Sequence, residues 1–350
     1  MKNTNGSQDM NKPGNASGAA GSLSGRIIQF ARNWSLPLGI GTGAVVYAAF
    51  HFISFLNPLK PAAQVISEHL IPVLLFVMLF FTFCKISPKD MQVRPWHLWL
   101  CAFQVIACAA IAVPLHFFPD FAYKELAEGA MVCFVCPTAT AAAVITGKLG
   151  GNESSLTTYT IISNIVAAVV IPALFPLVEN HSQMTFIAQA GVILGKVFPL
   201  LICPLIAAMA VRYLLPRLHA AIIRHCGSVA FYLWAFSLVM VIGQALRSVV
   251  NSHLSAGMLW MLAGTGLFAC VLQFVAGKAI GGHYGDRISA GQGLGQKNTV
   301  FAIWVSVAYL SPVVSIAPSG YILWQNIINS WQLWRKRRRD ASGAQPRRAE

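Results

Sequence analysis

Ten apolar segments, each about the length needed to cross a bilayer, follow one another between residues 34 and 334 with only short polar breaks. A single soluble core in a chain of 350 residues could not hide that much apolar side chain. Hydrophobic residues make up 56% of the chain and charged residues 10%, where a soluble domain carries about a quarter charged. The mean hydropathy of +0.62 points the same way. These features exclude an ordinary soluble enzyme and predict an all-α polytopic membrane protein.

The predicted spans are 34–55, 64–84, 96–117, 126–149, 154–178, 185–214, 226–247, 254–280, 286–309 and 311–334. Residues 1–33 form a polar lead rich in Asn, Gly and Ser, expected to be disordered and lacking the apolar core of a signal peptide. Residues 335–350 form a basic tail, expected to meet anionic lipid.

A net charge of +14 on a soluble chain would suggest a nucleic-acid partner. Here the charge is sorted by loop. Counting alternate loops puts 20 Lys and Arg on one side and Lys60, Lys124 and Arg247 on the other. Basic residues stay in cytoplasmic loops, so both termini are expected on the cytoplasmic side of a cytoplasmic or plasma membrane.

Ten spans divide into five plus five, over 34–178 and 185–334, and a repeat with an odd number of spans must enter the membrane the opposite way the second time. Two inverted five-helix repeats are therefore predicted, with the fourth span matching the ninth. These are the two least continuous segments. The fourth contains Cys136-Pro137-Thr138-Ala139-Thr140, and in the ninth Gly291, Gly293 and Gly295 precede Lys297, Asn298 and Thr299. Paired broken helices in corresponding positions mark the midplane binding site of many carriers. Each restarting half-helix offers free N–H groups and a positive dipole end, suited to an organic anion.

Of the eight cysteines, Cys133 and Cys136 are the only close pair, and no histidine stands at ligand spacing. The cysteines read as small packing residues, so no metal and no cofactor is expected. No nucleophile constellation or acid–base pair lies on the spans, and an enzyme is not expected.

The chain resembles the bile acid:sodium symporter family over roughly residues 34–335. The likeness runs from Phe83-Cys84-Lys85-Ile86-Ser87-Pro88-Lys89-Asp90 and Arg94-Pro95-Trp96 through Cys136-Pro137, Gly151-Asn152 and Pro172. It closes with Gln296-Lys297-Asn298-Thr299, Pro312-Val313-Val314 and Trp324-Gln325-Asn326. The resemblance implies a core and a panel domain, alternating access, and broken fourth and ninth helices that cross. It also implies a sodium site, from which this chain departs. Ala142 and Ala143 replace a Ser-Asn pair, Gly293 stands opposite the sodium-binding acid, Leu156 opposite a serine, and Lys297 opposite a glutamine. Thr160 keeps its hydroxyl, and Gln104 falls within a residue of a third-span ligand.

Alanine and glycine side chains supply no oxygen to sodium, and a nearby ammonium repels it. Lys297 is therefore expected to take the ion's place, either as a fixed cation or, by releasing its proton during the cycle, as a proton-coupling group. The bland alternative is a lysine that snorkels to the interface. Lys196 in the sixth span admits both readings. Thr138, Thr140, Asn298, Thr299, Gln325 and Asn326 are the expected substrate contacts, because hydroxyl and amide groups suit carboxylate or sulfonate oxygens. Asn326 could equally serve a bond between helices. The resulting expectation is a sodium-independent carrier of a bile-acid-like, keto-acid or pantoate-like anion. Its rivals are a metalloid or oxyanion efflux carrier using Cys136, and a membrane sensor that binds without transport.

Overall fold

The structure is a computed structural model that describes residues 35–178, 184–226, 229–252 and 254–343. The predicted lead over 1–33 and the last seven residues of the tail lie outside the described residues. Among the described residues there are thirteen α-helices and no β-strand. They are α1 (Ser35–Phe52), α2 (Lys60–Cys84), α3 (Pro95–Phe117), α4 (Lys124–Val135), α5 (Ala142–Leu149), α6 (Glu153–Val178) and α7 (Phe186–Leu214). There follow α8 (Pro216–His225), α9 (Val229–Asn251), α10 (Ala256–His283), α11 (Arg287–Gly295), α12 (Thr299–Tyr309) and α13 (Ile316–Ala341). Six helices are long and apolar enough to cross a membrane: α2 with the turn before it, α3, α6, α7, α9 and α10.

Local signals start and stop these helices. Pro95 opens α3, where its missing N–H is no loss. Thr185 and Ser255 cap α7 and α10, their hydroxyls accepting from the N–H groups of Ala188 and Met258 at 3.3 Å. Gly150, at φ +86°, ends α5 in a left-handed turn. Pro172 and Pro176 in α6 and Pro199 and Pro204 in α7 lie inside unbroken helices, as membrane helices tolerate when neighbours cover the freed carbonyls.

In the packing, α1 lies on α9, α2 lies on both α7 and α9, α3 lies on α4 and α6, and α10 lies on α11 and α13. The α10–α13 contact is especially close, because a methyl group at Gly266 or Gly320 would strike a backbone carbonyl of the other helix. The fourth and ninth segments are each split in two, into α4 with α5 and α11 with α12.

Two features depart from the sequence reading. The ten-residue α8 was not expected; it alternates charge and apolar residues too quickly to register as a span. It sits against the end of α2, with His219 Nε2 bonding the Cys84 carbonyl, while the Arg212 guanidinium at the end of α7 donates to the Ile86 carbonyl. The basic tail is also not a separate segment up to Ala341, because Arg335 to Arg339 are the last turns of α13. Arg335 and Arg338 lie over the rings of Trp331 and Trp334, at 5.4 and 4.8 Å, and this stacking carries the helix onward.

Candidate functional site

The two split segments meet where each loses its helix. Thr138 and Lys297 form an isolated antiparallel bridge, with Ala139 N–H donating to the Gln296 carbonyl at 2.8 Å and Asn298 N–H to the Pro137 carbonyl at 2.9 Å. The side chains of the bridging pair then act reciprocally. The Thr138 hydroxyl donates to the Gly293 carbonyl at 2.7 Å, and the Lys297 ammonium donates to the Phe134 carbonyl at 3.1 Å. Each reaches the carbonyl four residues before its partner.

These contacts answer a definite need. A helix leaves its last carbonyls unpaired, and burial makes that expensive. At the end of α4, Gln273 of α10 donates to the Cys133 carbonyl at 3.0 Å, Lys297 takes Phe134, and Gln104 of α3 takes Val135 and Cys136. At the end of α11, Thr138 takes Gly293, and the Tyr321 hydroxyl of α13 takes Gly295 at 2.8 Å. Gln273 also donates to Tyr321 at 3.1 Å, so one amide ties the two helix ends together.

Lys297 is only 1% exposed. The snorkelling alternative is thereby overturned, since the ammonium turns into the protein and onto the negative end of α4. The thiols of Cys101, Cys108, Cys133 and Cys136 surround it within electrostatic reach. All eight cysteines are free, and no cluster of metal-binding side chains occurs among the described residues. Lys196, on α7, is exposed and does not line the cavity described below.

Three of the positions that the resemblance assigns to sodium, Ala142, Leu156 and Gly293, are packed with apolar atoms, while Ala143 lines the cavity described below. Ala142, Leu156 and Tyr159 belong to one buried cluster with Trp96, Leu100, Cys101, Ala290 and Leu294. A Cβ at Gly293 would come within 2.9 Å of the Tyr159 ring and 3.0 Å of Leu156. A carboxylate there would have no room. The Thr160 hydroxyl donates to the Leu156 carbonyl of its own helix at 3.0 Å, which fixes its direction and leaves its oxygen lone pairs unused. The Gln104 amide nitrogen serves as a helix cap, held by two carbonyls, while its side-chain oxygen is buried without a partner.

A cavity of about 1530 Å³ borders the crossing. One wall is apolar, with Leu36, Met78, Phe231 and Trp234; the other carries Thr140, Asn298, Thr299, Gln325 and Asn326. It extends to Lys85, Ser87 and Met91 beyond α2 and to Lys148 near the end of α5. Five of the six expected substrate contacts thus share one cavity. Thr138 does not: it is fully buried behind the bridge, held by Gly293 and by Ser163 at 3.2 Å. The Asn298 side-chain oxygen Oδ1 caps α12 by accepting from Phe301 N–H at 3.2 Å, while its side-chain nitrogen Nδ2 has no partner. The Gln325 oxygen accepts from Lys297 N–H at 3.0 Å, and Asn326 donates to Ile322 in its own helix at 2.7 Å rather than to another helix.

Gln273, Tyr321 and Ser163 escaped the sequence reading. The one available signal was an amide deep in the apolar eighth span. Asp286 also went unnoticed; it accepts from the Trp96 indole at 3.0 Å and joins the start of α11 to the start of α3.

Sequence comparison adds a further finding. The Sodium Bile acid symporter family matches residues 72–252, just over half of the chain and inclusive of the first break but not the second. None of the curated proteins matches the chain.

Proposed function

Because the chain belongs to the sodium bile acid symporter family, we propose that it carries an organic anion by alternating access without sodium, with Lys297 in the ion's place. The general part of this statement, an integral membrane transporter and not an enzyme, follows from the family and the apolar helices. The specific part rests on one observation: the ammonium of Lys297 is bonded to the end of α4 while Leu156 and Tyr159 fill the space before Gly293. A fixed cation repels sodium, and the remaining side-chain oxygens, those of Gln104 and Thr160, are too few to replace its water.

The architecture proposed is ten spans in two inverted five-helix repeats, and the reciprocal bonds at the crossing support it. The proposed orientation puts both termini in the cytoplasm, so that the cavity, which reaches Lys85 and Lys148, opens inward. Thr140, Asn298, Thr299, Gln325 and Asn326 are the proposed substrate contacts, with the unpartnered Asn298 amide donating to the anion. Bile-acid-like, keto-acid and pantoate-like anions fit this description. The metalloid reading is weaker, because Cys136 is buried and does not line the cavity.

The test is uptake of labelled taurocholate, pyruvate and pantoate into vesicles containing purified protein, held at zero potential, with sodium and pH gradients imposed separately. Uptake that ignores sodium supports the proposal. Strict sodium dependence contradicts it, a dependence on the pH gradient makes Lys297 a proton carrier instead, and binding without uptake favours the sensor reading.

A further inference from the structure

The geometry points to the empty carrier as the electrically active form: we propose that reorientation without substrate moves the Lys297 charge across the membrane field, whereas reorientation with a bound monovalent anion moves none. This rests on the reading of Lys297 as a fixed cation in place of sodium.

Three observations carry it. Lys297 is buried, and its ammonium is bonded to the Phe134 carbonyl. Among the described residues no carboxylate forms an ion pair with it; Glu128, on the same half-helix as Phe134, is paired with Lys124 at 3.6 Å. A carbonyl and a helix end lower the energy of the ammonium but do not cancel its charge, since the helix end is equivalent to about half a negative charge. Finally, Lys297 and its neighbours Asn298 and Gln325 border the cavity, so a monovalent anion seated there crosses the field together with the ammonium and the two charges cancel.

The consequence is electrical. Where a water-filled cavity reaches the crossing, the membrane potential falls across the protein on the far side of it. Once the carrier opens the other way, the potential falls on the near side. Lys297 thereby passes through most of the field, whichever helices move. A full charge gains or loses ~2.3 kcal/mol per 100 mV, which is up to about 50-fold in the relative population of the two empty forms. An inside-negative potential holds the empty carrier facing inward. Under that potential the carrier exports its anion or exchanges one anion for another, and net uptake is slowed.

The first arm of the test uses no substrate. The full-length protein is reconstituted in a planar membrane in choline chloride, and voltage steps are applied with no organic anion present. The parent is expected to give a transient charge movement that Lys297→Arg retains and Lys297→Met loses, and that a transported anion from the taurocholate, pyruvate and pantoate panel suppresses. A folded parent that gives no transient overturns the proposal whatever the variants do, as does a transient that persists in Lys297→Met. A transient that appears only with sodium instead contradicts the sodium-free reading on which the proposal stands.

Discussion

At the first break a threonine reaches across to a carbonyl of the other half-helix, and at the second a lysine does the same. The backbone bonds around them are alike, so both helix ends meet the same need for a donor. A hydroxyl suffices at Gly293. The ammonium at Phe134 therefore brings something that capping does not require, a permanent charge within the crossing. Intramembrane charge is expensive and is kept where it works. The surroundings differ to match, for Gly293, where the resemblance would put an acid, faces the Tyr159 ring and Leu156, where it would put a serine.

The largest break in this comparison is Lys297→Met. It removes an attraction on the anion of about 2–3 kcal/mol at intermediate screening, so uptake at zero potential should fall about 100-fold. Uptake within a factor of two of the parent would remove the lysine from the mechanism. Gly293→Ala comes next. Its methyl group must push into Tyr159 and Leu156, and overpacking of this kind costs about 1–3 kcal/mol of stability. Thermal unfolding in detergent should show the loss, and adding Leu156→Ala should recover part of it; an unchanged unfolding temperature for the single variant would mean that the space before Gly293 is open after all.

Thr138→Val sharpens the comparison from the other side. It leaves the Gly293 carbonyl without its hydroxyl donor, at about 1–2 kcal/mol. Transport should suffer much less than in Lys297→Met, since no charge is lost. Equal losses in the two variants would make both residues mere caps. The smallest effect belongs to Asn326→Ala: its bond lies within its own helix, so stability should change by less than about 0.5 kcal/mol. A weaker apparent affinity at unchanged maximal rate is expected from its place on the cavity wall, and an unchanged affinity would take it out of the substrate site.

Much of this was legible in the sequence because it depends on local chemistry. Pro137 removes a backbone donor, and Gly291, Gly293 and Gly295 weaken the ninth helix, so both breaks stood out. Lys297 stood out as a charge in an apolar run. The capping of the helix ends was not legible, because Gln104, Gln273 and Tyr321 come from distant helices and an amide in a span does not announce which carbonyl it serves. Thr138 was misplaced for a related reason. The sequence marks a hydroxyl at the break, but the side of the bridge on which it lies is decided by the crossing partner. The helix α8 and the extension of α13 were missed because apolar runs find spans and overlook amphipathic or basic helices.

The central claim is that an ammonium has replaced sodium, and the most direct measurement is the thermal stability of the purified protein in equal concentrations of sodium, potassium and choline chloride. A ligand present at 100 times its dissociation constant stabilises the folded state by about 2.7 kcal/mol, so a working sodium site would show itself. The account predicts the same unfolding temperature in all three salts for the parent. Stabilisation by sodium alone would contradict it, since it would mean that an ion site persists beside Lys297.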